Sequence, residues 1–200
     1  FYALLKQLAD TGDSLQNNNI DKKYITVKSL KSLKQLIKDI EQHNILSIDL
    51  ETTSIDPMRA EIVGISLSFK PDTGFYIPVL YPEKKNNNFG DDDLNIVLSL
   101  LKEILENSEV KKVGQNIKYD LLIFSRFGIN ITGIYFDTMI AAHILNPSAV
   151  SYKLDALSLE YLNYTMIPIE DLIGKGKEQI TMDHVPLDKV SYYASEDADI

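Results

Sequence analysis

The chain contains no cysteine. That absence removes disulfides, thiolate nucleophiles and Cys-ligated zinc or iron–sulfur sites, and it agrees with a reducing compartment. Long apolar runs are missing as well, since no stretch approaches the roughly 18 residues needed to cross a bilayer. The opening segment FYALLKQLADTGDSL has no basic region followed by an apolar core, so it does not read as a signal peptide. Basic residues are in short supply. Against 29 Asp and Glu there are 20 Lys and Arg, a net charge of −9 at pH 7. Such a chain should not grip a phosphate backbone through a broad basic face, because counterion release needs clustered cations. Taken alone, charge argues against a nucleic-acid partner.

What is present makes one folded unit. With 200 residues, 44% of them hydrophobic, the chain can bury a core, which excludes a disordered reading. It starts at Phe1 and stops at Ile200 inside the acidic run SEDADI, and both ends are expected to be cut from something longer. Residues 1–24, with Asn17, Asn18 and Asn19 in a row, read as a linker or lead-in, and residues 25–200 as one domain. Ser29 is placed to cap a helix marked by Leu30, Leu33, Leu36, Ile37 and Ile40, with Lys31, Lys34 and Lys38 on its solvated faces. Three strand-like runs follow, Ile45–Leu50, Ile62–Phe69 and Phe75–Val79, joined by connections short enough for an antiparallel meander. Beyond the polar loop Lys84–Asn88 the pattern alternates. Helices are expected at 94–105, 119–127, 138–145, 154–162 and from Leu187 onward, with strands at 110–114 and 131–136. The result is an α/β fold, a mixed sheet of antiparallel meander and then parallel strands, flanked by helices.

Three acidic motifs carry chemistry. In Ser47-Ile48-Asp49-Leu50-Glu51 the two acids lie two apart on a strand and so share a face. Unpaired, their like charges repel; a hard divalent cation makes the pairing favourable. A strand end fraying into solvent would explain the same pair. In Asn116-Ile117-Lys118-Tyr119-Asp120 an acid opens a helix, where it could equally serve the helix dipole. In Tyr193-Ala194-Ser195-Glu196-Asp197 a phenol and a carboxylate four apart share a helix face and could hold a water between them. A packed aromatic beside a solvated acidic tail would look the same.

Taken together, D-x-E, N-x-x-x-D and Y-x-x-x-D in this order resemble the DEDD family of 3′–5′ exonucleases, the tyrosine variety, which has a ribonuclease H-like fold. The stretches VGQNIKYD, GIYFDTMIAAHILNP, IGKGKEQIT and YYASEDAD further resemble the proofreading domain of bacterial family A polymerases, the DNA polymerase I type. The likeness runs over residues 45–200. It implies a two-metal exonuclease acting at DNA 3′ ends, with Asp49, Glu51, Asp120 and Asp197 as ligands of two divalent cations, Mg²⁺ or Mn²⁺, with Zn²⁺ conceivable at one site. Asp49 would bridge the metals, Glu51 and Asp197 would complete the site of the attacking water, and Asp120 would hold the second metal. Tyr193 would orient the water beside Glu51. Thr52, Ile55, Gln115 and Asn116 fall where the family contacts the terminal nucleotides, Ile55 as the apolar wedge where Leu is usual. The partners implied are a single-stranded or frayed DNA 3′ end and a polymerase domain linked after Ile200, in the bacterial cytoplasm or an organelle. Ribonuclease D-like RNA processing is the rival enzyme reading, and a silent structural module of a polymerase the rival outside enzymology.

Other residues are set aside. Asp137 is expected to cap the helix that follows it, Asp155 and Asp199 to be surface acids, and His143 and His184 not to be ligands. Gly174-Lys175-Gly176-Lys177 lacks the spacing of a phosphate-binding loop but could touch the DNA strand.

Overall fold

Ser29 begins the first helix as its spacing predicts. Its hydroxyl accepts the Ser32 amide at 3.2 Å while the Ser32 hydroxyl accepts the Ser29 amide, a reciprocal cap. In this computed structural model, which describes residues 22–82, 88–90 and 92–200, that helix is α1, Leu30–Ile40, and it buries Leu33, Leu36 and Ile40. The strands are β1 (Lys23–Thr26), β2 (Ile45–Thr52), β3 (Ile62–Ser68), β4 (Thr73–Pro78), β5 (Lys111–Gly114) and β6 (Ile134–Asp137). The longer helices are α2 (Asp93–Glu106), α3 (Ile117–Arg126), α4 (Thr138–Leu145) and α7 (Leu187–Asp199). Two single turns, α5 (Leu154–Leu157) and α6 (Glu170–Ile173), lie between α4 and α7, with α5 running on into a π-helical turn at Ser158–Leu162.

The strands form one sheet in the order β1-β4-β3-β2-β5-β6. The expected antiparallel meander is β2-β3-β4, and β2, β5 and β6 pair in parallel. One strand was not anticipated. Lys23–Thr26 adds to β4 in parallel, so the sheet takes in Lys23 and Tyr24, two residues assigned to the lead-in. Four residues are too few to show a period of their own, and it is the β4 edge that makes them a strand. The remainder of the lead-in, residues 1–21 with its three asparagines, and most of the polar loop, residues 83–87, lie outside the described residues.

The two faces of the sheet differ. Leu46, Ile48 and Leu50 of β2 join Leu33, Leu36 and Ile40 of α1 and Val97, Leu101 and Leu105 of α2 in the main core. On the opposite face, Val63 and Tyr76 pack against Leu187, Val190 and Ala194 of α7. Alternation along β2 therefore turns Asp49 and Glu51 toward α7. That face is lined with small residues, and α7 lies close to it. A Cβ added to Gly74 would sit 2.5 Å from the Ser195 main-chain oxygen, and the Thr26 and Ser191 hydroxyls meet at 2.5 Å.

Candidate active site

Three elements bring the predicted acids together. Asp49 lies opposite Ser66 and Glu51 opposite Gly64 in β3, and a register shift between Glu51 and Thr52 ends regular pairing beside them. Helix α7 supplies Tyr193 and Asp197 from one face, four residues apart, and the Tyr193 hydroxyl hydrogen-bonds the Asp197 carboxylate. One carboxylate oxygen from each of Asp49, Glu51 and Asp197 lies within 4.8 Å of the others. Asp120 enters from the first turn of α3, is buried, and stands close enough to act electrostatically on Glu51, though outside that trio. The helix begins at Ile117, two residues before the expected start, which places Asp120 at its fourth position.

The electrostatics of the cluster are those of like charges held together, which a cation would relieve. Burial pushes the Asp49 carboxyl up to about 6, with the nearby Ser66 hydroxyl, which donates to the Asp49 main-chain carbonyl at 3.2 Å, and the Leu50 amide pulling part of the way back. Glu51 is held well above the ordinary carboxylate range by burial and by the charges of Asp49, Asp197 and Asp120. Asp120 and Asp197 rise likewise, from burial first and from Asp49 next. Tyr193 is also pushed up, by burial and by Asp197 and Glu51, so it stays a neutral hydrogen-bond donor. Every ligand atom offered is a carboxylate oxygen, the hard donor that suits Mg²⁺ or Mn²⁺. A stability signature follows from the signs. These acids bind protons more tightly folded than unfolded, so their contribution is fully present at low pH and is lost as pH rises through each folded value, about 6 for Asp49. The metal-free domain is expected to melt higher at pH 5 than at pH 8, and Mn²⁺ at pH 8 to restore the difference, as read by thermal denaturation. A midpoint indifferent to Mn²⁺ would contradict it.

The residues expected to contact nucleotides lie at the end of β2, in the loop after it and in the turn before α3. Thr52 Oγ1 lies 2.6 Å from the Tyr119 hydroxyl and bonds the Ser54 carbonyl. Ile55 projects from the loop after β2 with 97% of its surface exposed. Gln115 donates to the Tyr152 carbonyl at 2.7 Å and accepts from the Thr138 hydroxyl. Asn116 adopts the left-handed conformation (φ 54°) that turns β5 into α3.

Asp137 caps α4 by accepting the Ile140 amide, as expected, and it also accepts the amides of Asn116 and Ile117 at 3.2 and 2.9 Å. One carboxylate thus joins the starts of two helices and steadies the turn that delivers Asp120. Asp199 differs from its expected place at the surface. Its side chain is 3% exposed, accepts from the Tyr24 hydroxyl at 3.0 Å, and faces Lys22 Nζ at 4.0 Å. Glu196 is buried too, accepting from the Tyr164 hydroxyl and the Ile167 amide at 2.6 and 2.8 Å. A run of acids at a helix end looks solvated in sequence, whereas here successive residues face different neighbours. Asp155, His143, His184, Lys175 and Lys177 are exposed, and His143 stands edge-on to Tyr152.

Comparisons with known proteins agree with this arrangement. Residues 24–200 match the family described as 3′–5′ exonuclease. The chain is 35% identical over 192 residues to a DNA polymerase I of Rhizobium leguminosarum, covering 88% of this chain and 19% of the relative. To that of Borreliella burgdorferi it is 34% identical over 201 residues, covering 99% and 21%. The chain therefore spans about a fifth of the relatives it matches. Among solved structures, Escherichia coli RNase D superposes with a TM-score of 0.64 at 18% identity, covering 88% of this chain and 42% of that one. Brucella melitensis NrnC does so with a TM-score of 0.62 at 18% identity, covering 89% and 75%. At that identity the likeness speaks for the shared fold, which is the ribonuclease H-like sheet expected from the motifs. Among the described residues no helix is long and apolar enough to cross a membrane. With the acidic motifs meeting at one point of that sheet and the match extending over residues 24–200, the chain belongs to the 3′–5′ exonuclease family.

Proposed function

We propose that this domain removes nucleotides from DNA 3′ ends as the proofreading part of a bacterial DNA polymerase I, using two divalent cations, Mg²⁺ or Mn²⁺, in the cytoplasm. The observation that carries this reading is the convergence of Asp49, Glu51 and Asp197 within 4.8 Å, with Asp120 buried beside them. Bound there, the cations would activate water and offset charge on the leaving 3′-oxygen. The four acids would hold them as acceptor-only ligands, Asp49 shared between them, Glu51 and Asp197 serving the one that supplies the attacking water, and Asp120 the other. Tyr193, on the same face of α7 as Asp197, turns its one O–H from that carboxylate to the water and orients it beside Glu51. No covalent nucleophile is needed, and the chain has no cysteine to offer one. Ile55 meets the last base, with Thr52, Gln115 and Asn116 along the terminal nucleotides. Frayed or mispaired ends enter more readily because they have less stacking to lose. Four of the acids behind the −9 charge belong to this cluster, so the acidity marks the cation site and does not argue against DNA. The polymerase portion would supply the basic surface that grips duplex.

The test is release of nucleoside monophosphates from 3′-mismatched DNA and 3′-tailed RNA assayed in parallel with Mg²⁺. DNA is expected to be preferred, and a clear preference for RNA would favour a ribonuclease D-like role. In the same assay Tyr193→Phe should slow turnover by about fivefold to tenfold, the worth of one hydrogen bond, with substrate KM little changed. An undiminished rate would remove Tyr193 from the reaction.

A further inference from the structure

The loop that carries Ile55 is tied down at almost every turn. Thr53 and Glu61 close its neck, with the Thr53 amide on the Glu61 carbonyl at 3.1 Å and the Glu61 amide on Thr53 Oγ1 at 3.0 Å. Within it, Asp56 organises a turn. Its carboxylate accepts the Met58 amide at 2.9 Å and its carbonyl accepts the amides of Arg59 and Ala60 at 3.0 and 2.9 Å. Ala60 at the return is fully buried in the main core. Two apolar side chains are nevertheless left bare, Ile55 at 97% and Met58 at 66% exposure. A loop so constrained, holding apolar groups in water, is shaped to press them on something else.

Helix α3 holds this loop from outside at two places. Tyr119 donates to the Ser54 carbonyl just before Ile55. Two turns further along, on the same face of α3, Arg126 Nη1 donates to the carbonyls of Pro57 and Ala60 at 2.6 and 2.7 Å, on either side of Met58. These are charge-assisted bonds, stronger than neutral ones. The helix that grips the loop is also the one that carries Asp120.

We propose that Arg126 is a positioning residue for strand separation at the 3′ end, stiffening the Ile55–Ala60 loop so that its apolar tip displaces a paired base instead of yielding to it. The proposal rests on the reading of Ile55 as a base contact. A paired 3′ nucleotide must lose its stacking and pairing before its phosphate reaches the acids, and a wedge does that work only if it is stiffer than the duplex end. A single-stranded end makes no such demand. The mutation should therefore separate the two substrates.

The experiment compares Arg126→Ala, Arg126→Lys and the unaltered protein on a fully paired 3′ end and on a single-stranded oligonucleotide of the same sequence. The rate ratio, paired over single-stranded, is expected to fall about tenfold in Arg126→Ala, since small misplacements near a reacting centre have effects of this order or more. Lysine, with one charged donor, should recover part of it. Adding Arg126→Ala to Ile55→Ala should lower the ratio little beyond Ile55→Ala alone, because the two act through one contact. Loss of folded protein would reduce both rates equally, so an unchanged ratio overturns the proposal, as does full additivity in the double variant. If the unaltered protein fails on single strands too, it is the exonuclease reading that has failed.

Discussion

Replacing Asp49 with asparagine is expected to lower the rate of 3′ nucleotide release by about a hundredfold to a thousandfold, the scale on which loss of a group that stabilises transition-state charge is felt. The same change is expected to make the metal-free domain more stable. Both effects have one cause. Asp49 is half-buried beside Glu51 and Asp197, where desolvation disfavours its charge and its own charge raises Glu51, Asp120 and Asp197. Asparagine keeps the shape and removes one of the repelling charges. Relief of about 1 kcal/mol would appear as a rise of about 2–4 °C in the melting midpoint for a domain of this size. With Mn²⁺ present the order should invert, since only the unaltered protein gains binding energy from the metal. Thermal melts of the two proteins, with EDTA and with Mn²⁺, check the prediction. A variant less stable than the parent in EDTA would show that Asp49 serves the fold and not a cation.

Gly74→Val is expected to impair both stability and activity although the residue is one of no chemistry. A Cβ at Gly74 would lie 2.5 Å from the Ser195 main-chain oxygen and 2.7 Å from its Cβ, so β4 and α7 must part to admit it. The atom in the way belongs to the backbone and cannot swing aside. Overpacking of this kind costs about 3 kcal/mol, or roughly 6–12 °C in midpoint. The part that moves carries Tyr193 and Asp197. A displacement of about 1 Å at a reacting centre costs about a hundredfold in rate, so activity should fall even at temperatures where the variant is folded. Circular dichroism to establish folding, followed by turnover at a saturating metal concentration, separates the two effects. Normal turnover in the folded variant would mean that α7 tolerates the shift.

The two kinds of residue differ in how plainly they could be read. Asp49 and Glu51 declare themselves because strand alternation puts them on one face, and Tyr193 and Asp197 because helical spacing does the same. Local geometry suffices in both cases, and motif order then joins the elements. Gly74, Arg126, Glu196 and Asp199 declare nothing, because each owes its role to a partner distant in sequence. Gly74 matters through Ser195, Arg126 through Pro57 and Ala60, Glu196 through Tyr164, and Asp199 through Tyr24. Strand β1 belongs with these, being four residues that only β4 makes into a strand. Asp137 falls between, since its capping of α4 is local but its hold on Asn116 and Ile117 is not.

The central claim, that β2, α3 and α7 assemble one cation site which cuts DNA from its 3′ end, is tested most directly by titrating Mn²⁺ into the protein and into its Asp49→Asn variant. Calorimetric binding and the release of nucleotides from a 3′-mismatched oligonucleotide are followed over the same range of concentrations. The unaltered protein should bind the ion and begin to release nucleotides together, with chelation abolishing both, while the variant loses both. Mn²⁺ binding of equal strength in the variant, or hydrolysis that survives chelation, would contradict it.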